Sequence, residues 1–283
     1  MIVVTGATGN VGRVLVRLLA EAGEDVTAVA RRVSSADVPE GVRTVSADLA
    51  DPAGLRPALG GGADALFLVT PGDYLALGGN VRPILRTAAE AGVRRVVLLS
   101  SQSAGTRPLS PGHGMRALED ESEVRNSGLE WTILRPGGFA SNAFAWAESV
   151  RLRRTVTAPF GDVALPVIDP GDIAEVAAAA LREPGHDGRV YELTGPERVS
   201  PRQIAAALGD ALGEPVRFAE QSRDEARALM AAFMPEEVAD GTLAILGDPT
   251  PGERRVSPEV ERVLGRAPRP FSDWARRNAA AFR

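Results

Sequence analysis

Glycines at positions 6, 9 and 12 punctuate Thr5-Gly6-Ala7-Thr8-Gly9-Asn10-Val11-Gly12, which lies between the apolar run Ile2–Thr5 and a helical pattern over Asn10–Ala22. At a strand-to-helix turn the first glycine permits a tight bend. The second lets backbone approach a pyrophosphate, and the third lets the helix pack closely on the strand. Amides at the helix N-terminus then face negative charge. Gly6, Thr8, Gly9, Asn10, Val11 and Gly12 are therefore candidate phosphate-cradling residues for a dinucleotide. The next strand-like run closes on Val29-Ala30-Arg31-Arg32, with Arg31 19 residues after Gly12. An acid there would bind a ribose 2′-hydroxyl and repel a 2′-phosphate, whereas arginine offers a planar fork suited to phosphate. Arg31 and Arg32 thus point to NADP(H) over NAD(H), and Asp37, farther on in a polar turn, is a poor substitute for the missing acid.

What the chain lacks narrows the chemistry further. It has no cysteine, which excludes disulfides, thiolate metal sites and cysteine nucleophiles. All 32 basic residues are arginine, so Schiff-base chemistry, a P-loop lysine and any Tyr–Lys catalytic pair are excluded as well. The two histidines, His113 and His186, are far apart in sequence, and no metal site is expected. Ser101 with His113 lacks the G-x-S-x-G elbow of a hydrolase. A net charge of −5 argues against nucleic-acid binding by bulk charge. No apolar run reaches the length of a membrane span, and the first strand begins right after Met1, so a cytoplasmic chain without a leader is expected.

The 283 residues, 44% hydrophobic and 24% charged, suit one large α/β domain or a domain with a small lobe. Strand-like runs at Ile2–Thr5, 25–30, 42–46, 63–69 and 95–100 alternate with helical patterns at 10–22, 52–59 and 81–91. Continuously apolar strands joined by helices imply a doubly wound parallel sheet covered on both faces. A helix over 115–127 and a strand at Trp131–Leu134 follow, ended by Arg135-Pro136-Gly137-Gly138. Beyond this break the pattern predicts a strand at Val163–Ile168, a helix at 170–181, a strand at Arg189–Leu193, helices at 200–212 and 222–246, and an amphipathic helix at 270–282. A nucleotide-binding domain over 1–150, with part of its sheet from 151–195, and a mainly helical substrate lobe over 196–283 are expected.

Ser46-Ala47-Asp48-Leu49, Ala65-Leu66-Phe67-Leu68-Val69-Thr70-Pro71, Trp131-Thr132-Ile133-Leu134-Arg135-Pro136-Gly137, Ile168-Asp169-Pro170-Gly171-Asp172-Ile173-Ala174, Tyr191-Glu192-Leu193-Thr194-Gly195-Pro196 and Phe271-Ser272-Asp273-Trp274 join the glycine loop in a pattern that spans nearly the whole chain. It resembles the NmrA-like branch of the atypical short-chain dehydrogenases/reductases, which includes quinone- and dye-reducing NADPH enzymes and a cofactor-sensing regulator. The resemblance implies Asp48 and Leu49 beside the adenine, and Val69, Thr70 and Pro71 along ribose and diphosphate. It also implies Ser100 to Gln102 beneath the nicotinamide, with Pro136, Gly137 and Phe139 closing over it. Met115, Phe144, Trp146, Phe233 and Met234 are the implied lining of the substrate pocket.

This chain departs from the wider superfamily where Tyr-x-x-x-Lys is usual, because the matching positions are His113 and Ala117. His113, Gln102 and Ser101 become the candidate catalytic groups, an imidazole being able to donate a proton near neutral pH. The acidic run Glu119-Asp120-Glu121 with Glu123 is expected to be a solvated helix face. A hydride acceptor needing no strong acid, such as a quinone or another small conjugated molecule, fits the missing phenol best. A non-catalytic NADP(H) sensor and a biosynthetic C=N or C=C reductase are the alternatives, and oligomeric state is left open.

Overall fold

β-Branched and aliphatic residues fill the early runs, and each becomes the strand expected of it. The computed structural model describes residues 1–70, 74 and 79–283. In chain order its main elements are β1 (Ile2–Thr5), α1 (Gly12–Glu21), β2 (Val26–Ala30), β3 (Arg43–Ser46), β4 (Ala65–Val69), α2 (Arg82–Glu90), β5 (Arg95–Leu99), α3 (Arg116–Arg125) and β6 (Glu130–Pro136). Then come α4 (Ala147–Arg153), β7 (Thr155–Ala158), α5 (Pro170–Arg182), β8 (Arg189–Leu193), α6 (Pro201–Leu212), β9 (Arg217–Glu220), α7 (Arg223–Ala231), α8 (Glu236–Gly247), α9 (Glu259–Leu264) and α10 (Phe271–Arg277). Contacts divide the described chain into two units that interleave along the sequence. Unit 1 comprises Met1–Ala104, Arg116–Pro136 and Pro170–Glu192, and unit 2 comprises Gly105–Met115, Gly137–Asp169 and Leu193–Arg283.

Unit 1 is built on a seven-stranded sheet in the order β3-β2-β1-β4-β5-β6-β8. Chain order reverses between β1 and β4, the switch point at which such sheets bind ligands. Strands β1 to β6 run parallel, with Thr5 opposite Val29, Ala30 opposite Ser46, Val69 opposite Leu99 and Leu99 opposite Leu134. That register brings the C-terminal ends of six strands to one edge. Val3, Leu66, Leu68, Val96, Leu98 and Ile133 pack in one cluster with Ile84 and Leu85 of α2 and Val124 of α3. Alternate residues such as Val4, Phe67 and Val97 point to the other face, where α1 and α5 lie together.

Unit 2 holds the short parallel pair β7–β9 and a core of α6, α10 and the C-terminal turn. Phe144 meets Trp274 edge-on at 4.9 Å and stacks on Phe282 at 5.9 Å, so the terminal aromatics are buried within their own unit. Ser200 caps α6 reciprocally with Gln203, and Pro201 occupies its first turn, as the sequence predicts. Three expectations need correction. Val163–Ile168 is not a strand; Leu165 and Ile168 form only isolated bridges to Val199 and Phe139. The helix expected over 222–246 is two helices, α7 and α8, because Pro235 sits at the cap of the second and cannot continue the first. Pro270–Phe282 is α10 followed by a separate 3₁₀ turn, Ala279–Phe282. Among the described residues no helix is long and apolar enough to cross a membrane.

Candidate functional site

The loop after β1 is shaped by backbone contacts that only glycine permits. Gly6 holds φ at +61°, and a Cβ there would meet Val69 Cγ1 at 2.4 Å. A Cβ on Gly12 would lie 2.2 Å from the Gly6 carbonyl oxygen and 2.8 Å from its carbon. The Gly9 amide closes the turn by donating to Gly6 O at 2.9 Å, and Ala7 donates to Val29 O at 3.0 Å. Thr5 ties the base of the loop to β4, since its hydroxyl donates to Phe67 O and accepts from the Val69 amide, both at 3.0 Å. Thr8, Gly9 and Asn10 are exposed, and α1 begins with no side-chain cap and no acid in its first turn. The Arg13 and Val14 amides already donate to Gly9 O and Val11 O, each at 3.1 Å, so an anion would meet the loop backbone ahead of them. The glycine cradle fits a dinucleotide pyrophosphate, with Gly6, Gly9 and Gly12 holding the backbone close.

Arg31 and Arg32 leave β2 on the exposed side of the same edge. Asp37 is consumed locally: one of its oxygens accepts from the Ser34 amide and hydroxyl, at 2.8 and 2.7 Å, which holds its carboxyl below the usual range. Asp48, also exposed, accepts from the Ala50 amide at 2.9 Å, while Leu49 is buried. Val69 ends β4 and Thr70 follows it, both half-buried, and Pro71, expected beside them, lies outside the described residues. Ser100, Ser101 and Gln102 follow β5, and the Gln102 amide donates to Pro136 O at 2.9 Å. Ser101 supports the next short helical turn, its hydroxyl bonding Ser103 Oγ at 2.8 Å.

Helix α3 departs most from expectation. Its acidic run is not a solvated face: Asp120 and Glu121 are 5% and 0% exposed. Helical spacing turns the two carboxyls about 100° apart around α3, so they meet different neighbours. Glu121 accepts from Ser100 Oγ at 2.8 Å, from Arg135 at 2.8 and 2.6 Å and from Arg125 at 2.9 Å. Burial alone pushes its carboxyl up, but these donors outweigh burial and hold it below the ordinary value. Asp120 has the Thr70 hydroxyl as a hydrogen-bond donor, and burial, partly offset by Arg116, pushes it up to about 6. Arg116, one turn earlier on the same face, bonds Glu119 at 2.8 Å through Nη1. Its Nε and Nη2 are buried and have no partner. Sequence reasoning missed Asp120 and Arg116; their i,i+4 spacing was the available signal.

Unit 2 holds the remaining candidates. His113 lies in a π-helical turn, Pro111–Met115, packed against α8, so closely that a Cβ on Gly241 would lie 2.7 Å from its Nδ1. Thr242 donates its hydroxyl to Val238 O at 2.8 Å, so it accepts from His113 Nε2 at 3.2 Å, and Nε2 carries the proton. Nδ1 is then a buried lone pair without a partner, and burial, reinforced by Arg107, lowers the ring's pKa. This is a neutral imidazole held for packing, in a poor state to act as an acid. NMR titration should put His113 below the ordinary histidine midpoint, and a midpoint at or above that value would restore it as an acid. Met115 and Phe233 are 43% and 74% exposed, and Met234 is half-buried. Phe139 bridges Ile168 through its backbone, and the Gly137 amide donates to Leu193 O at 2.9 Å. Phe144 and Trp146 belong instead to the packing of unit 2, with Trp146 Nε1 donating to Thr157 O at 2.9 Å.

Comparison with known proteins shows the family. A family model described as NAD(P)H-binding matches residues 6–184. A (4-alkanoyl-5-oxo-2,5-dihydrofuran-3-yl)methyl phosphate reductase of Streptomyces griseus is 40% identical, covering 100% of this chain and 99% of its own. An NAD(P)H azoreductase of Xenophilus azovorans is 38% identical over the same shares. The crystal structure of an Escherichia coli NADPH-dependent quinone oxidoreductase, in complex with NADPH, superposes with a TM-score of 0.80 at 26% identity, covering 97% of this chain and 98% of that one. From its glycine cradle, its sheet order and these matches, this chain belongs to the NAD(P)H-binding family, within the NmrA-like branch of the atypical short-chain dehydrogenases/reductases.

Proposed function

We propose that this protein is an NADPH-dependent reductase of small conjugated acceptors such as quinones, azo compounds or acyl-butenolides. The observation that carries the reading is the glycine cradle, in which Gly12 lies against the Gly6 carbonyl with no room for a side chain. Three relatives named as reductases of conjugated molecules support it. NADPH, when bound, supplies the hydride, and the acceptor takes its proton from water.

The chain's own part is binding and orientation. The glycine loop over residues 6–12 takes the pyrophosphate, Arg31 with Arg32 takes the 2′-phosphate, and Asp48 with Leu49 meets the adenine. Val69 and Thr70 line the ribose side. Ser100 to Gln102, tied to Pro136 by the Gln102 amide, place the nicotinamide. A conjugated acceptor delocalises the incoming electron pair, so the missing tyrosine–lysine pair is no obstacle.

The test follows NADPH and NADH oxidation with a naphthoquinone, an azo dye and an acyl-butenolide. Turnover with NADPH preferred over NADH is expected. Binding of NADPH without oxidation by any acceptor would overturn the reading in favour of a cofactor sensor. Arg31→Ala should lower the NADPH-to-NADH ratio of kcat/KM by about 10- to 100-fold, the worth of one charge-assisted hydrogen-bonding fork. An unchanged ratio would remove Arg31 as the phosphate reader.

A further inference from the structure

Arg116, its side chain 23% exposed, carries a guanidinium that the fold leaves half-used. Its guanidinium bonds Glu119 through Nη1 at 2.8 Å, while Nε and Nη2 are buried with no acceptor. Native proteins leave few buried donors unmet, and a guanidinium can neither lose its charge nor accept a hydrogen bond in return. The unmet pair is also the edge whose two parallel N–H groups match two oxygens of a phosphate or carboxylate. Asp120, on the same helix face, feels the Arg116 charge but does not fill that edge: its carboxyl is engaged by Thr70, and among the described residues Arg116 bonds Glu119 alone.

We propose that the Nε–Nη2 edge of Arg116 receives a phosphate monoester carried by the reducible acceptor. The proposal rests on the reductase reading and specifies its substrate class. Its position supports it, because Arg116 opens α3 and its helix neighbour Asp120 reaches Thr70, which follows β4 at the carboxyl edge of the sheet. The start of a ten-residue helix adds its own preference for an anion. Cofactor phosphates have other partners, in the glycine loop and at Arg31. An ionised Asp120 would oppose an anion here, but burial already raises that carboxyl to about 6, so proton uptake on binding is within easy reach.

The experiment compares kcat/KM, with NADPH, for an acyl-butenolide methyl phosphate and for the alcohol left when the phosphate is removed. Wild-type protein should prefer the phosphate. Arg116→Ala should cut that preference by about 10- to 100-fold, chiefly through KM, and Arg116→Lys should restore part of it as a point charge without the fork. NADPH affinity should be retained in both variants, and thermal melting confirms that they fold. An unchanged preference in Arg116→Ala, or a loss of NADPH affinity in its place, would overturn the proposal. If no acceptor is reduced, the reductase reading itself falls. Calorimetric titration of NADP⁺-loaded protein with phenyl phosphate then decides Arg116 separately: binding lost in Arg116→Ala keeps the oxyanion site, and equal binding removes it.

Discussion

Gly12→Val protein should bind NADPH at least about tenfold more weakly than wild type, equivalent to about 1.4 kcal/mol. The side chain would start 2.2 Å from the Gly6 oxygen, 2.8 Å from the Gly6 carbon and 3.0 Å from the Ala7 Cα. All three are backbone atoms of the loop proposed to hold the pyrophosphate, so no rotamer change can relieve the clash. Relief requires α1 to move off the loop, which spoils both the amide cradle and the packing of Leu15 and Leu19. The same overpacking should cost about 1–3 kcal/mol of folding stability. Fluorescence titration with NADPH, beside a urea denaturation curve, separates the two effects. Wild-type affinity in Gly12→Val would show that the loop does not hold the cofactor.

Glu121→Ala should destabilise the protein by about 3–5 kcal/mol, the range for removing one partner of a buried ion pair. Glu121 is fully buried and accepts from Arg135, Arg125 and Ser100, so its loss strands the Arg135 guanidinium, whose side chain is only 15% exposed. Those donors hold the native carboxyl below its unfolded value of 4.5, so the unfolded chain binds the proton more readily. The stabilisation is therefore complete above pH 4.5 and is lost as pH falls through the native pKa. Asp120 behaves in the opposite sense. Its native pKa of about 6 exceeds the unfolded 3.8, so its relative contribution is greatest in acid and declines as pH rises through 6. Urea denaturation at neutral and acidic pH measures both. A change of less than about 1 kcal/mol in Glu121→Ala would be the scale of an exposed pair and would remove the role assigned here.

The N-terminal half was the more legible part because its signals are local. Gly6, Gly9 and Gly12 lie within one turn of chain, and the steric reason for each survives in any neighbourhood that has a strand before and a helix after. The strands β1, β2, β4 and β5 announce themselves by continuous apolar character, since burial on both faces leaves no polar alternation to confuse the pattern. Ser200-Pro201 and Gln203 likewise mark the start of α6 within four residues. Short strands held by distant partners were not legible. Thr155–Ala158 is a strand because Arg217–Glu220 pairs with it, and nothing within either tetrapeptide requires that pairing.

Side-chain roles divide along the same line. Arg31 and Arg32 follow from chain order, because the end of the second strand must reach the edge where the glycine loop opens. His113 read as a potential acid from its residue type alone. Only its packing against Gly241 and its bond to Thr242 show a neutral ring with a buried lone pair. Phe144 and Trp146 read equally well as pocket or as core until Trp274 and Phe282, more than a hundred residues later, came to lie beside Phe144. By itself the sequence determined the sheet, the cofactor class and the steric form of the glycine loop, because these rest on steric and periodic features carried by neighbouring residues. Which of four consecutive or near-consecutive carboxyls sinks beside Arg135, which meets Thr70, and which arginine keeps a buried edge without a partner was decided by tertiary structure alone. Burial and hydrogen-bond partners come from residues far away in the chain, and they, not residue type, set the charge state and availability of a polar group.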